Sequence, residues 1–161
     1  MRSLSVQLVK GGKHTFGWSA VKEPGTVAIP PEAIVEYGLE EGEKLIVLPG
    51  SRTSGGFALA SPKSVSGSIL GDVLEKHPEL GEFRIPEGER IEHKNRSFCW
   101  VQLRRAAVHL IPQTLERYGI RIGDRLLVLR GSGLAVGFAV RGPIVQEARK
   151  HKGLPVHEYK E

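Results

Sequence analysis

One cysteine, one methionine, two tryptophans and no long apolar run in 161 residues remove several classes of protein before any motif is read. A lone Cys99 cannot form an internal disulfide framework or a cysteine-rich zinc site, and it suits a reducing compartment. It lies between Phe98 and Trp100 on an expected strand, where a thiol packs as a small apolar group. No apolar stretch approaches the roughly 18 residues that span a bilayer, and the opening MRSLSVQLVKGG has no apolar core of a secretion signal. A cytoplasmic protein with no membrane partner is expected. Six histidines show no ligand spacing, no carboxylate pair recurs at matched sites, and no G-x-S-x-G elbow occurs. No enzyme, metal site or cofactor is expected from these residues.

What is present is a repeat. Between Thr26 and Pro62 the chain matches its own second half at a constant offset of 81, without a gap. Pro31 answers Pro112, Tyr37-Gly38 answers Tyr118-Gly119, and Gly42 answers Gly123. Leu45, Val47 and Leu48 answer Leu126, Val128 and Leu129, and Gly56-Phe57-Ala58 answers Gly137-Phe138-Ala139. Upstream, Phe16-Gly17-Trp18 matches Phe98-Cys99-Trp100 once the first copy's Lys22–Gly25 turn takes one extra residue. Downstream, Lys76-His77 matches Lys150-His151, leaving seven more residues in the first copy's tail, about two helical turns. Self-similarity of this length marks a duplication. Two copies, residues 1–80 and 81–161, would each be marginal alone and are expected to form one compact body.

The copies differ in charge. Residues 13–62 carry four Lys/Arg against six Glu, a net −2, whereas 94–143 carry nine against two, a net +7. Such divergence on one pattern points to a role beyond holding the fold. Mutual pairing of an acidic and a basic half is the other reading.

Punctuation by Gly and Pro predicts the elements. Copy one reads as strands Ser3–Val9, Thr15–Val21 and Thr26–Ile29, helix Pro31–Tyr37, and strands Lys44–Leu48 and Gly56–Ala60. Lys22-Glu23-Pro24-Gly25 has the Pro-Gly order of a type II turn. A helix is expected to follow Pro62 towards His77, then Pro78–Asn95 as a linker plus the first strand of copy two. Copy two repeats the order: Pro112 opens a helix that stops at Gly119, and a last helix covers about Pro143–Lys152. The fold class is mainly β with short helices.

The pattern V-x-I-P-x-E from Val27, followed by Tyr37-Gly38-Leu39 and Gly42-Glu43-Lys44-Leu45-Ile46-Val47, resembles the SpoVT/AbrB swapped-hairpin domain of transition-state regulators and MazE-like antitoxins. Leu110-Ile111-Pro112, Tyr118-Gly119-Ile120 and Gly123-Asp124 through Val128 resemble it again. The resemblance implies two β-β-α-β-β repeats, each trailed by a helix, that exchange hairpins into one barrel: an intrachain pseudo-dimer. It also implies a non-catalytic regulator of transcription that binds double-stranded DNA, with self-association of the pseudo-dimer as a further option. The family's arginine positions fall on Thr26, Ala107, Ile34-Val35 and Leu115-Glu116, none of them basic.

Copy two offers other cations nearby: Arg104 and Arg105 at the hairpin turn, Arg96 and Lys94 before it, and Arg117 on the helix. Arg104-Arg105 at a tip could seat on phosphates or reach base edges. These five are the expected DNA contacts, and an AbrB-like module that has lost DNA for a protein or small ligand is the alternative. Trp18, Trp100, Tyr37 and Tyr118 recur at matched positions and read as core. Gly131-Ser132-Gly133 lies between strands and reads as a hairpin loop.

Overall fold

The structure, a computed structural model, describes residues 6–7, 14–62, 69–131 and 135–160. Each copy supplies two hairpins around a short helix. Copy one contributes β1 (Val6–Gln7), β2 (His14–Lys22), β3 (Thr26–Ala28), helix α1 (Pro31–Glu36), β4 (Lys44–Pro49) and β5 (Phe57–Ala60). Helices α2 (Ile69–Lys76) and α3 (Pro78–Gly81) follow. Copy two contributes β6 (Ile91–His93), β7 (Arg96–Gln102), β8 (Ala107–His109), α4 (Pro112–Arg117), β9 (Arg125–Arg130) and β10 (Ala135–Ala139). Helix α5 (Pro143–Arg149) and β11 (Val156–His157) end the chain. The expected first strand is described only at Val6–Gln7, and the expected Gly131-Ser132-Gly133 loop lies largely outside the described residues.

The central helices are specified alike. Pro31 and Pro112 take first-turn positions where a missing N–H costs nothing. Gly38 (φ 61°) and Gly119 (φ 78°) end them in left-handed geometry. The Leu39 N–H donates to the Ile34 carbonyl and the Ile120 N–H to that of Leu115, which satisfies the last turn.

The strands form one curled, half-barrel sheet in the order β6-β7-β4-β5-β10-β9-β2-β3-β8, with β1 and β11 both paired to β2. Apart from the parallel β11–β2 pair, neighbours are antiparallel. The pairings between copies repeat themselves. Lys44, Leu45, Ile46 and Val47 of β4 face Gln102, Val101, Trp100 and Cys99 of β7. Arg125, Leu126, Leu127 and Val128 of β9 face Ala20, Ser19, Trp18 and Gly17 of β2. Those are the same positions in the two repeats. Val27 pairs with Val108 and Phe57 with Phe138, each residue opposite its own counterpart. The Phe57 and Phe138 rings stack 4.7 Å apart in the central core.

Two smaller cores lie outside this one. Leu70, Val73 and Leu80 of α2 and α3 cover Trp100 and Ile46, while Val145 and Ala148 of α5 with Leu154 cover Trp18 and Leu127. The trailing helices thus bury the outer sheet face, which an amphipathic stripe does at roughly 25 cal/mol per Å².

Three expectations change. The Glu23–Pro24 peptide is cis, so the Lys22–Gly25 turn is not type II; a proline amide tolerates cis far better than others. Pro78–Asn95 holds the expected first strand of copy two, β6, but the part read as linker is packed: α3 lies in it, and Phe83 and Ile85 join the Trp100 core. The polar tail carries β11, a sheet strand. Cys99 is fully buried as expected, and burial pushes its thiol up to about 12. Among the described residues no helix is long and apolar enough to cross a membrane.

Candidate nucleic-acid interface

The five expected contacts divide between the two ends of β7, about 20 Å apart at the rise of a strand. At the far end the chain turns through Arg104-Arg105-Ala106-Ala107, and Arg104 and Ala107 exchange backbone hydrogen bonds. Arg105 (φ 52°) and Ala106 (φ 57°) both adopt left-handed geometry, the requirement of a two-residue type I′ hairpin. Carboxylates surround this tip. Arg104 donates to Glu87 at 3.0 and 3.1 Å and also to Gln102. The Arg105 N–H donates to both oxygens of Glu41, at 2.9 and 3.0 Å.

At the near end Lys94, Arg96 and Arg117 come together. Lys94 (φ 50°) and Asn95 (φ 64°) turn the β6–β7 hairpin. Arg117 on the last turn of α4 donates from Nε to Ser97 Oγ (3.0 Å) and from Nη2 to the Asn95 carbonyl (3.3 Å). Its nearest carboxylate is Glu92, at 3.8 Å. Arg96 donates to the Pro49 carbonyl at 3.3 Å. Lys94 reaches Asp72 at 3.7 Å. The hydrogen bond that Asp72 accepts from His93 holds its carboxyl below the ordinary range, and Lys94 adds to the effect.

Two further arginines join them. The loop between β4 and β5 brings Arg52, and the end of β10 brings Arg141, which donates to the Arg52 carbonyl at 3.0 Å. Five cations and the single carboxylate of Glu116 line a groove of about 470 Å³. The loop is held in place: the Gly56 N–H donates to the Tyr118 carbonyl (3.0 Å), and the Val140 and Arg141 N–H groups donate to Ser54 (2.9 and 3.0 Å). Below, the Tyr118 hydroxyl donates to the Ser97 carbonyl at 2.8 Å, and burial raises its pKa well above the ordinary value. Arg96 and Arg141 thus rest on neutral carbonyls and keep their full charge for an anion, with two-pronged guanidinium geometry that suits phosphate.

Neither Arg52 nor Arg141 stood out in the sequence. Arg52 belongs to the acidic copy and Arg141 was one of nine cations in the basic one; only the β5–β10 pairing places them side by side. Among the described residues no group of three or more His, Cys, Asp or Glu is placed to hold a metal ion. No family model matches the chain, and no match was found among curated proteins or solved structures.

Proposed function

We propose that this chain is a non-catalytic, cytoplasmic DNA-binding protein, a regulator of the SpoVT/AbrB type built as an intrachain pseudo-dimer that exchanges hairpins between its repeats. The reciprocal β2–β9 and β4–β7 registers support the exchanged-hairpin part of this reading. The observation that carries the function is the groove in which Lys94, Arg96 and Arg117 meet Arg52 and Arg141. Duplex DNA presents one charge per ~1.7 Å of axis, and cations not already spent on carboxylates gain most from it. Phosphate contacts here would set orientation, leaving sequence readout to neighbouring edges.

The test is binding to a mixed-sequence duplex across a salt series. Reversing Arg96 and Arg117 together to Glu should lower the slope of log affinity against log salt by about two units. Reversing Arg104 and Arg105 should change it less, since Glu87 and Glu41 already face them. Equal losses from both pairs would place binding on a diffuse basic coat. Absence of binding at low salt would favour the second reading, a protein- or ligand-binding module of the same fold, which the carboxylates at the Arg104–Arg105 tip support.

A further inference from the structure

The two tryptophans occupy equivalent places, yet among the described residues an aromatic ring packs on Trp100 and none on Trp18. Trp100 is 8% exposed. Phe83 packs on it edge to face, ring centres 5.4 Å apart, and its indole N–H donates to the Ile85 carbonyl at 2.7 Å. Lys44 lies 5.3 Å from the centres of both rings, a cation held against two aromatic faces. The site on this side of the sheet is therefore a slot for one aromatic ring on a tryptophan, bordered by a cation from the adjoining strand.

Trp18 has the slot without the ring. It is half-buried and lines a cavity of about 620 Å³ between β2, α5 and the Leu154–Val156 segment. Arg125 stands on β9 where Lys44 stands on β4: Lys44 pairs with Gln102 and Arg125 with Ala20, matched positions two residues beyond each tryptophan. Arg149, His151 and Lys152 complete the rim, opposed by Asp124. Among the described residues Arg125, Arg149 and Lys152 make no ion pair. Asp124 is already engaged, accepting from the Arg121 N–H at 2.8 Å.

We infer that this cavity binds a mononucleotide, its base laid on Trp18 and its phosphate held by Arg125, Arg149 and Lys152. A base stacks on an aromatic side chain whatever its identity. The volume lies within the range of small-ligand pockets. Three uncommitted cations around one small cavity call for concentrated charge, which a phosphate monoester supplies and a peptide's spaced carboxylates do not. The filled twin shows that the same sheet position accommodates a second ring beside a cation without disturbing the strands.

The test is calorimetric titration of the whole protein with adenosine 5′-monophosphate, with adenosine and inorganic phosphate as separate arms. The nucleotide should bind at least about ten-fold more tightly than either part, since stacking and a charged hydrogen bond each supply roughly that factor. Trp18→Leu and Arg149→Glu should each weaken it about ten-fold, while Trp18→Phe keeps a ring and most of the affinity. Arg149→Glu lies on an exposed helix position and reports even if Trp18→Leu fails to fold. Equal affinity for inorganic phosphate would overturn the inference by reducing the cavity to a cation patch. So would nucleotide binding unaffected by both substitutions, or binding only of a peptide carrying residues 82–88, the twin's own occupant. Arg96→Glu with Arg117→Glu should leave nucleotide binding intact, so this result and that for the DNA groove can fail separately.

Discussion

The position held by Arg117 in the basic groove is held by Glu36 in the other copy, and the position of Pro49 by Arg130. Between the copies these two close on each other: Arg130 of the basic copy donates to Glu36 of the acidic one from Nε (2.5 Å) and Nη2 (2.7 Å). At the equivalent place Arg117 meets a serine and a carbonyl, with Glu92 only at 3.8 Å, and Arg96 donates to the Pro49 carbonyl of the other copy. One backbone frame thus carries a self-neutralised ion pair on one side and an open cationic groove on the other. A duplicated fold allows this because either repeat can supply strand pairing while only one keeps the charge. The lesson extends to the tryptophans, where again one of two equivalent places is filled by the chain and the other is not.

Separating the copies should have the largest effect. β4 pairs with β7 and β9 with β2, so neither half retains the neighbours its strands need. Residues 1–80 and 81–161 expressed apart should lack cooperative melting, and mixing should restore it. Two monomeric halves that each melt cooperatively would end the description of a single interlocked body.

Exchanging the charges comes next. Arg117→Glu should give the groove its twin's sign and lower the DNA salt slope by about one unit. Glu36→Arg should remove the carboxylate paired with Arg130, add a cation and raise that slope, turning the acidic side towards its partner's behaviour. A slope unmoved by both would mean that the asymmetry serves pairing within the chain and not an external anion.

Much of this frame was legible beforehand. The offset of 81 located both helices, their proline starts and their glycine ends, and it anticipated which strand residues would be equivalent across the sheet. The groove was only partly legible: Lys94, Arg96 and Arg117 converge, but Arg104 and Arg105 lie at the other end of β7. Arg52 and Arg141 are 89 residues apart, and no periodicity links them. The packing of Phe83 and Ile85 on Trp100 was hidden too, because Pro78–Asn95 has the polar composition of a linker and only a few apolar residues spaced to reach the sheet.

A smaller effect separates Cys99 from its counterpart Gly17. Burial raises the Cys99 thiol from 9.0 to about 12, so the folded state keeps its proton where the unfolded chain loses it. Its contribution is fully present below pH 9 and is lost as pH rises towards 12. Chemical denaturation between those pH values should show stability falling, and Cys99→Ala should reduce the linked proton number by about one over that range. The alanine also leaves a small cavity, costing on the order of 1 kcal/mol at neutral pH. An unchanged alkaline slope in the variant would assign the loss to other groups.

The smallest effect concerns the two hairpin tips. Copy one turns through Pro24-Gly25, where Gly25 has φ 145° and an added Cβ would lie 2.1 Å from the Leu110 carbonyl oxygen. Copy two makes its turn with one residue fewer and places Arg105 and Ala106 at φ 52° and 57°, a conformation that costs a non-glycine residue about 1 kcal/mol. The two hydrogen bonds from the Arg105 N–H to Glu41 help to offset that cost, but Ala106 gains nothing from them. Ala106→Gly should therefore stabilise the protein by about 0.5 kcal/mol, the strain released less the extra freedom given to the unfolded chain. Arg105→Gly should give a similar gain, because glycine keeps the N–H that donates to Glu41 and releases the same left-handed strain. Melting both variants alongside the parent checks the two residues of the turn. A destabilised Ala106→Gly would mean that the methyl group packs against the acidic turn of copy one strongly enough to outweigh its backbone geometry.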